Sequence, residues 1–231
     1  MDYAYRRLAD VTVEVVEGPG AGVSVVTNAS GDYALPGVFS APIVVRASKG
    51  GFITGTRRLS ASNARPDGRV DASFFLDRVS RDITGDYTLT ITAAAECSEL
   101  PAAARTRTYD ATVKAASDSA NRYSVTLSGA TFQRAGNGLF VATSGDVAAF
   151  LIDPYGDFIV TETLTASSSL SFWGFGRGTV GASGVSVPFG GTLQYCPDYR
   201  GPTGGPFPYY TCGVPPVNCD STTHTLTLTP R

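Results

Sequence analysis

His224 is the only histidine in the 231-residue chain, and it limits the catalysis the sequence can support. Any serine or cysteine triad would depend on it alone. No GxSxG elbow is present to supply the nucleophile. A zinc peptidase site would need at least one more histidine. His224 also alternates with Leu226 and Leu228, so it belongs to an apolar strand face. There it reads as a lining or rim histidine held by a hydrogen bond.

The carboxylates give no better support. Glycoside hydrolysis needs two of them at a set separation. Glu96 and Glu99 sit in a loop and Glu162 in a strand-like run, with nothing to pair them. Glu162 shares a face with Val160 and Leu164, which turns it inward. An inward charge requires a partner, and Arg107 or Arg105 is the candidate. Such a pair reads as a structural salt bridge, or as a ligand anchor. The run Gly174–Gly178 is glycine-rich but lacks the GK[ST] of a phosphate loop, so it reads as a bulged strand or tight turn. The aspartates of Asp153-Pro-Tyr-Gly-Asp157 read as turn chemistry. No catalytic residue, metal ligand set or cofactor is expected.

Aromatic residues are the most suggestive feature. One cluster is Phe172, Trp173 and Phe175; another is Tyr195, just before Cys196, with Tyr199, Phe207, Tyr209 and Tyr210 in the Cys196–Cys219 loop region, which holds six prolines. They can pack the core and the loop, or form a binding face for sugar rings or a protein partner. Phe172, Trp173, Phe175, Tyr199, Phe207, Tyr209 and Tyr210 are the candidate ligand-binding set.

These side chains must be positioned by strands. Tyr87, Leu89 and Ile91 share one face and Thr88, Thr90 and Thr92 the other. The same design recurs in Tyr109, Ala111 and Val113, in Tyr123, Val125 and Leu127, and around His224. A sheet with one apolar side must close on itself or stack on another sheet. No convincing amphipathic helix appears; the segment 93–104 reads as a loop with one helical turn. Earlier strands are expected at 8–16, 23–27, 32–35, 43–48, 52–59 and 70–76. A charged stretch, 78–83, separates a first unit, 1–77, from a second, 84–231.

Composition narrows the class further. Charged residues make up 16% of the chain and the net charge is -2. The 18 basic residues are scattered, which argues against a nucleic-acid partner. No apolar run is long enough to span a bilayer as a helix. The four cysteines, none in a CxxC pair, fit two disulfides and an exported protein. The opening MDYAYRRLAD lacks the apolar core of a signal peptide, so the leader is expected outside this chain.

The first unit resembles the carboxypeptidase regulatory-like domain, a small transthyretin-like β-sandwich of secreted bacterial proteins. The resemblance rests on Leu8–Val15, on Thr27-Asn-Ala-Ser-Gly-Asp-Tyr-Ala-Leu35 and on Ile43–Gly50 with Phe52. It implies that Gly31 turns a hairpin and that Tyr33 and Leu35 point inward, which makes the Asn28-Ala-Ser30 sequon incidental. The family opens on a strand ending in a Gly-Pro-Leu turn, whereas this chain has Asp2–Leu8 there. A missing strand would leave an edge open to pairing with another chain. The second unit is similar to a poorly characterised bacterial β-barrel module, on the segments Gly85–Ile91, Cys97–Pro101, Arg105–Ala111 and His224–Leu228; lipocalin-like barrels are its analogue in pattern.

Four cysteines allow three pairings. An up-and-down barrel of even strand number sets its first and last strands antiparallel, which favours Cys97–Cys219 and leaves Cys196–Cys212 to close the proline-rich loop. The expectation is an all-β, exported, non-catalytic structural and interaction protein: a β-sandwich followed by an antiparallel up-and-down barrel. Its partners would be a protein or a second copy at a sheet edge. The alternative is a binding protein for carbohydrate or a small apolar ligand at the barrel mouth.

Overall fold

The computed structural model describes residues 1–60, 70–117, 119–133, 138–152, 160–202 and 210–231. The chain divides into two compact units, Met1–Ser80 and Arg81–Arg231.

The first unit is a four-stranded antiparallel sheet of β1 (Thr12–Glu17), β2 (Ser24–Val26), β3 (Ile43–Ser48) and β4 (Gly55–Leu59), in the order β2-β1-β3-β4. Alternation decides its faces. Val11, Val13 and Val15 are buried with Ile43, Val45 and Ala47, while Glu14 and Arg46 pair at 2.6 Å on the outer side. The apolar face is covered by extended segments bearing Tyr33, Leu35, Phe39, Val70, Ala72 and Phe74. Segments 32–35 and 70–76, expected as strands, form no ladder with each other. They are joined through a side chain, with the Tyr33 hydroxyl donating to the Ala72 carbonyl at 2.8 Å. Pro36 directly follows Leu35; it has no N–H to extend a ladder.

Two local features bear on the expectations for this unit. Asn28 Oδ1 accepts the N–H groups of Ser30 and Asp32, each at 2.9 Å, and Gly31 turns the chain at φ 73°. The TNASGDY stretch is therefore a side-chain-capped turn. Where an opening strand is missing from the sequence pattern, residues 1–6 form a tight turn against Leu76. Asp2, fully buried, bridges to Leu76 and accepts Arg6 N–H and Nε–H at 2.9 and 2.8 Å.

The second unit contains β5 (Gly85–Thr92), α1 (Ala102–Arg105), β6 (Thr106–Ala116), β7 (Ser119–Ser128), β8 (Thr131–Phe132), β9 (Gly138–Ser144), β10 (Val147–Ile152), β11 (Val160–Thr165), β12 (Ser168–Gly181), β13 (Gly184–Cys196), β14 (Tyr199–Pro202), β15 (Tyr210–Cys212) and β16 (Val217–Pro230). Eight of these strands close an antiparallel barrel, β5-β6-β7-β9-β10-β12-β13-β16 and back to β5. Leu226 opposite Ile91 and Leu228 opposite Leu89 form part of the final seam. The helical turn α1 is the only helix among the described residues.

Along β12 the ladder changes partner. Residues 174–179 pair with β10, and 168–172 pair with β11, which itself pairs with β8. The barrel wall thus gains a short flap of β8 and β11 at one end. The Gly174–Gly178 run, expected as a bulge or turn, lies inside β12, paired throughout with β10 and, at residues 174–176, with β13. Its even-numbered glycines face β13 closely: a Cβ on Gly178 would lie 1.8 Å from the Ser186 carbonyl oxygen, and one on Gly176 2.4 Å from that of Pro188. Glycine lets two strands of a tight barrel approach where a side chain could not.

The inward residues form one continuous cluster, among them Leu89, Ile91, Tyr109, Val125, Val141, Phe150, Phe172, Val187, Phe189, Leu193 and Leu226. Disulfides join Cys97 to Cys219 and Cys196 to Cys212. The first ties the loop after β5 to β16; the second links β13 to β15. These are the pairs that the strand order of a closed barrel implies.

Candidate functional site

Two groups of residues could carry function: the polar side chains inside the barrel and the aromatic side chains on its wall. Inside, Glu162 on β11 is buried at 2% exposure. Arg107 on β6 meets it with two nitrogens: Nε donates to Oε2 at 2.8 Å, and Nη2 donates to Oε1. The Tyr109 hydroxyl donates to the same Oε2 at 2.8 Å. Arg107 and Tyr109 are two residues apart on β6, so strand geometry sends both inward. Burial and the adjacent carboxylate push the Tyr109 hydroxyl far above the usual phenol range. Hydrogen bonding to Glu162 raises Arg107 further. Neither group is poised to exchange a proton near neutral pH.

The other candidate partners lie elsewhere. Arg105 spends its guanidinium on the carbonyls of Leu100 and Ser98, at 2.7 and 2.5 Å, closing the loop before β6. Glu96 accepts the hydroxyls of Ser221 and Thr223 at 2.5 and 3.2 Å. Glu96 and Glu162 therefore have separate sets of partners.

His224 is fully buried. Its Nδ1 accepts the Ala94 N–H at 3.0 Å, and its Nε2 lies 3.2 Å from the Gly191 carbonyl. Because Nδ1 accepts, the proton is on Nε2 and the ring is neutral. Burial holds its pKa below the usual histidine value. The ring packs 5.1 Å from Phe189. His224 thus fastens β16 to the segment after β5 and to β13, with two backbone partners where the sequence suggested one.

The aromatic candidates divide. Phe172 is fully buried and stacks on Tyr109 with centroids 6.1 Å apart; it is a core residue and is removed from the candidate surface. Its even position on β12 points it inward. Trp173 and Phe175, at odd positions, are half-buried, and Trp173 packs against the inner cluster. Tyr199 and Tyr210 lie on the small β14–β15 ribbon, a separate two-stranded sheet, and the Tyr199 N–H donates to the Ser167 carbonyl at 2.7 Å. Phe207 and Tyr209 lie outside the described residues, as does the turn at 153–157.

Around Trp173 and Phe175 the register assembles a surface that sequence reasoning missed. Phe175 lies opposite Leu151 on β10, Leu151 opposite Phe140 on β9, and Phe140 opposite Ser124 on β7. One row higher, Arg177, Ala149, Ala142 and Arg122 follow the same registers. The Arg177 guanidinium lies 5.0 Å from the Phe175 ring centroid, and that of Arg122 lies 4.7 Å from Phe140. The result is a Phe-Leu-Phe strip on three adjacent strands with a guanidinium at each end. The alternation of Phe140 with Val141 and of Leu151 with Phe150 was present in the sequence. The missing information was that β9 lies next to β10 and β10 next to β12.

Among the described residues, no three metal-ligating side chains come together. Comparison with known proteins returns no match: no family model, no curated protein and no solved structure aligns significantly with the chain.

Proposed function

We propose that this chain is a non-catalytic, exported interaction protein in which the barrel is a closed scaffold and its outer wall is the working surface. The observation that carries this reading is the state of the barrel's inner polar groups. Glu162, Arg107, Tyr109 and His224 are each satisfied by protein partners, beside a continuous apolar cluster of inward residues. A hollow, lipocalin-like site would need inward residues to line a void. Two disulfides favour an oxidising compartment. None of the described helices is long and apolar enough to cross a membrane. The first unit is read as a transthyretin-like sandwich of the carboxypeptidase regulatory-like kind, supported by its buried Val11-Val13-Val15 alternation and the inward Tyr33.

A glycan array and a peptide array, each run with the whole chain and with Trp173→Ala and Phe175→Ala, test the proposal. Binding that is lost in both variants supports the outer wall. Binding unchanged by either removes it. Stoichiometric uptake of an apolar dye by the folded chain would move the site to the interior. A second reading, self-association, is favoured by β2: it is three residues long, pairs only with β1, and exposes Val26 at 59%. Light scattering that finds a monomer at all concentrations removes that reading.

A further inference from the structure

The first unit holds a cleft of about 840 Å³ between its sheet and the segments that cover it. The floor is the buried face of β1, β3 and β4, with Val11, Val13, Ile43, Ala47 and Leu59. Two extended segments, 32–35 and 70–76, form the walls. Each alternates as a strand over a core does: Tyr33 and Leu35 are half-buried with Ala34 exposed, and Ala72 and Phe74 are half-buried with Asp71 and Ser73 exposed. Yet neither wall is part of a sheet. Among the described residues, the N–H groups of Tyr33, Leu35, Ala72 and Phe74 make no backbone hydrogen bond. Extended chain in a packed layer ordinarily has partners for these groups, and here the cleft takes the place of the partner.

One wall already bears the beginning of a strand. Asp2 bridges to Leu76 in parallel. The Leu76 N–H donates to the Met1 carbonyl at 3.1 Å, and the Met1 amino group donates to the Phe74 carbonyl at 2.9 Å. Alternate residues of an extended segment direct their backbone groups to the same side, so the Ala72 carbonyl continues this edge. Its partner is the Tyr33 hydroxyl, reaching from the opposite wall at 2.8 Å. A side chain thus stands where the next ladder bond would form.

We propose that the cleft accepts an extended segment of another protein, apolar at alternate positions, which runs parallel to Val70–Leu76 and pairs with both walls. Its apolar side chains lie on the floor at Val13, Ile43 and Ala47. A compact apolar ligand could fill the same space, but it would leave the N–H groups of the walls unpaired. A strand supplies their acceptors, and strand addition is a common mode of peptide recognition. The Met1–Asp2 pairing sets its direction. The stretch from Val70 to Phe74 is about 16 Å long at the usual rise per residue, which admits about five residues. Long alternating segments of this chain, such as β5, β6 and β16, are already paired within the barrel, so the strand comes from a different protein. Insertion breaks the Tyr33–Ala72 bond, which makes Tyr33 a latch. The cleft lies wholly in the first unit and is independent of the barrel wall.

The test is fluorescence anisotropy of the whole chain with a labelled Lys-Val-Thr-Val-Thr-Val-Lys peptide, and with the same peptide N-methylated at its three valines. Methylation removes the donors to one wall and keeps every side chain. The expected result is saturable one-to-one binding, weakened about tenfold or more by methylation. Tyr33→Phe should bind the parent peptide about fivefold more tightly, because insertion no longer breaks a hydrogen bond, with an unchanged circular dichroism spectrum. A photoreactive group at the peptide's C-terminal end should cross-link near Met1 and Phe74, and one at its N-terminal end near Val70. Absence of binding to both the parent chain and Tyr33→Phe, equal binding of the methylated peptide, or cross-links in the reverse order overturns the inference. Uptake of an apolar dye that the peptide fails to displace gives the cleft to a compact ligand and overturns the strand. A dimer of this chain that the peptide dissociates gives the cleft to a second copy and overturns the foreign partner.

Discussion

Replacing Arg107 with Met tests whether the polar cluster inside the barrel is a structural clasp. The Glu162 side chain is 3% exposed and that of Arg107 28%, so the change strands a buried carboxylate with only the Tyr109 hydroxyl as donor. Stranding one member of a fully buried pair costs about 3–5 kcal/mol. Arg107 opens to solvent on one side, and water entering there reduces the expectation to about 2–3 kcal/mol. At a typical urea dependence of about 2 kcal/mol per molar, the midpoint falls by roughly 1 M. Trp173 reports this directly because it lies in the barrel unit. The decisive comparison is the double replacement Arg107→Met/Glu162→Leu. It removes both charges and leaves only the Tyr109 hydroxyl without its acceptor, a cost of about 1 kcal/mol. The double variant should therefore be more stable than Arg107→Met alone. If its loss equals the sum of the two single losses, the groups are not coupled and the clasp is refuted. A loss below about 0.5 kcal/mol for Arg107→Met alone refutes it equally, being no more than an ordinary surface change.

His224 makes the barrel sensitive to acid. Its folded pKa is depressed by burial, so above about pH 6.5 the ring is neutral in both states and contributes no pH dependence. Below that value the unfolded chain takes up a proton that the folded barrel resists. Stability then falls with a slope of up to about 1.4 kcal/mol per pH unit until the folded pKa is passed. Unfolding midpoints between pH 7 and 5 should show this slope for the parent and lose it in His224→Gln; an unchanged slope in the variant assigns the effect elsewhere. Gly178→Ala should cost about 3 kcal/mol or more by overpacking, because its Cβ would lie 1.8 Å from the Ser186 oxygen. Gly50→Ala, with nothing within 4 Å of the added carbon, should stay within about 0.5 kcal/mol; similar losses at both positions would show that close strand approach is not the cause. Removing Cys97–Cys219, separated by 122 residues, should destabilise by about 5 kcal/mol, and removing Cys196–Cys212, separated by 16, by about 3. Serine pairs compared by denaturant unfolding decide the order, and the reverse ranking would show that loop closure does not set the contribution.

Most of the barrel was legible because period-two alternation is a local property. Tyr87-Leu89-Ile91 and Tyr109-Ala111-Val113 announce inward faces whatever lies beside them. The Cys97–Cys219 pairing was legible once a closed up-and-down barrel was expected, because closure sets the first and last strands side by side. The inward turn of Glu162 and its partner Arg107 could be read for the same reason: both lie on apolar faces, and buried charges need opposites. Phe172 was misplaced because it was grouped with its aromatic neighbours and not with the inward parity of Leu170 and Val180. In the first unit, segments 32–35 and 70–76 have strand composition, but a tyrosine hydroxyl joins them where a ladder was expected. A tertiary hydrogen bond of that kind leaves no local periodicity.

The outward wall could not be read in this way, and closure of the barrel explains why. Closing removes the backbone edges by which a β protein most readily gains a partner. Recognition must then come from outward side chains on neighbouring strands, and their neighbours are fixed by register across the sheet. Phe175, Leu151, Phe140 and Ser124 are adjacent through three separate ladders, though Phe175 and Ser124 are some fifty residues apart in the chain. The Arg122–Phe140 stack joins two different strands. By contrast, Arg177 and Phe175 are two residues apart on one strand, the one part of this surface a linear reading can reach. The barrel therefore separates its tasks by parity along each strand. Inward positions carry the apolar and self-satisfied polar residues that hold the fold, and outward positions on four adjoining strands bring together two cations and three large apolar side chains.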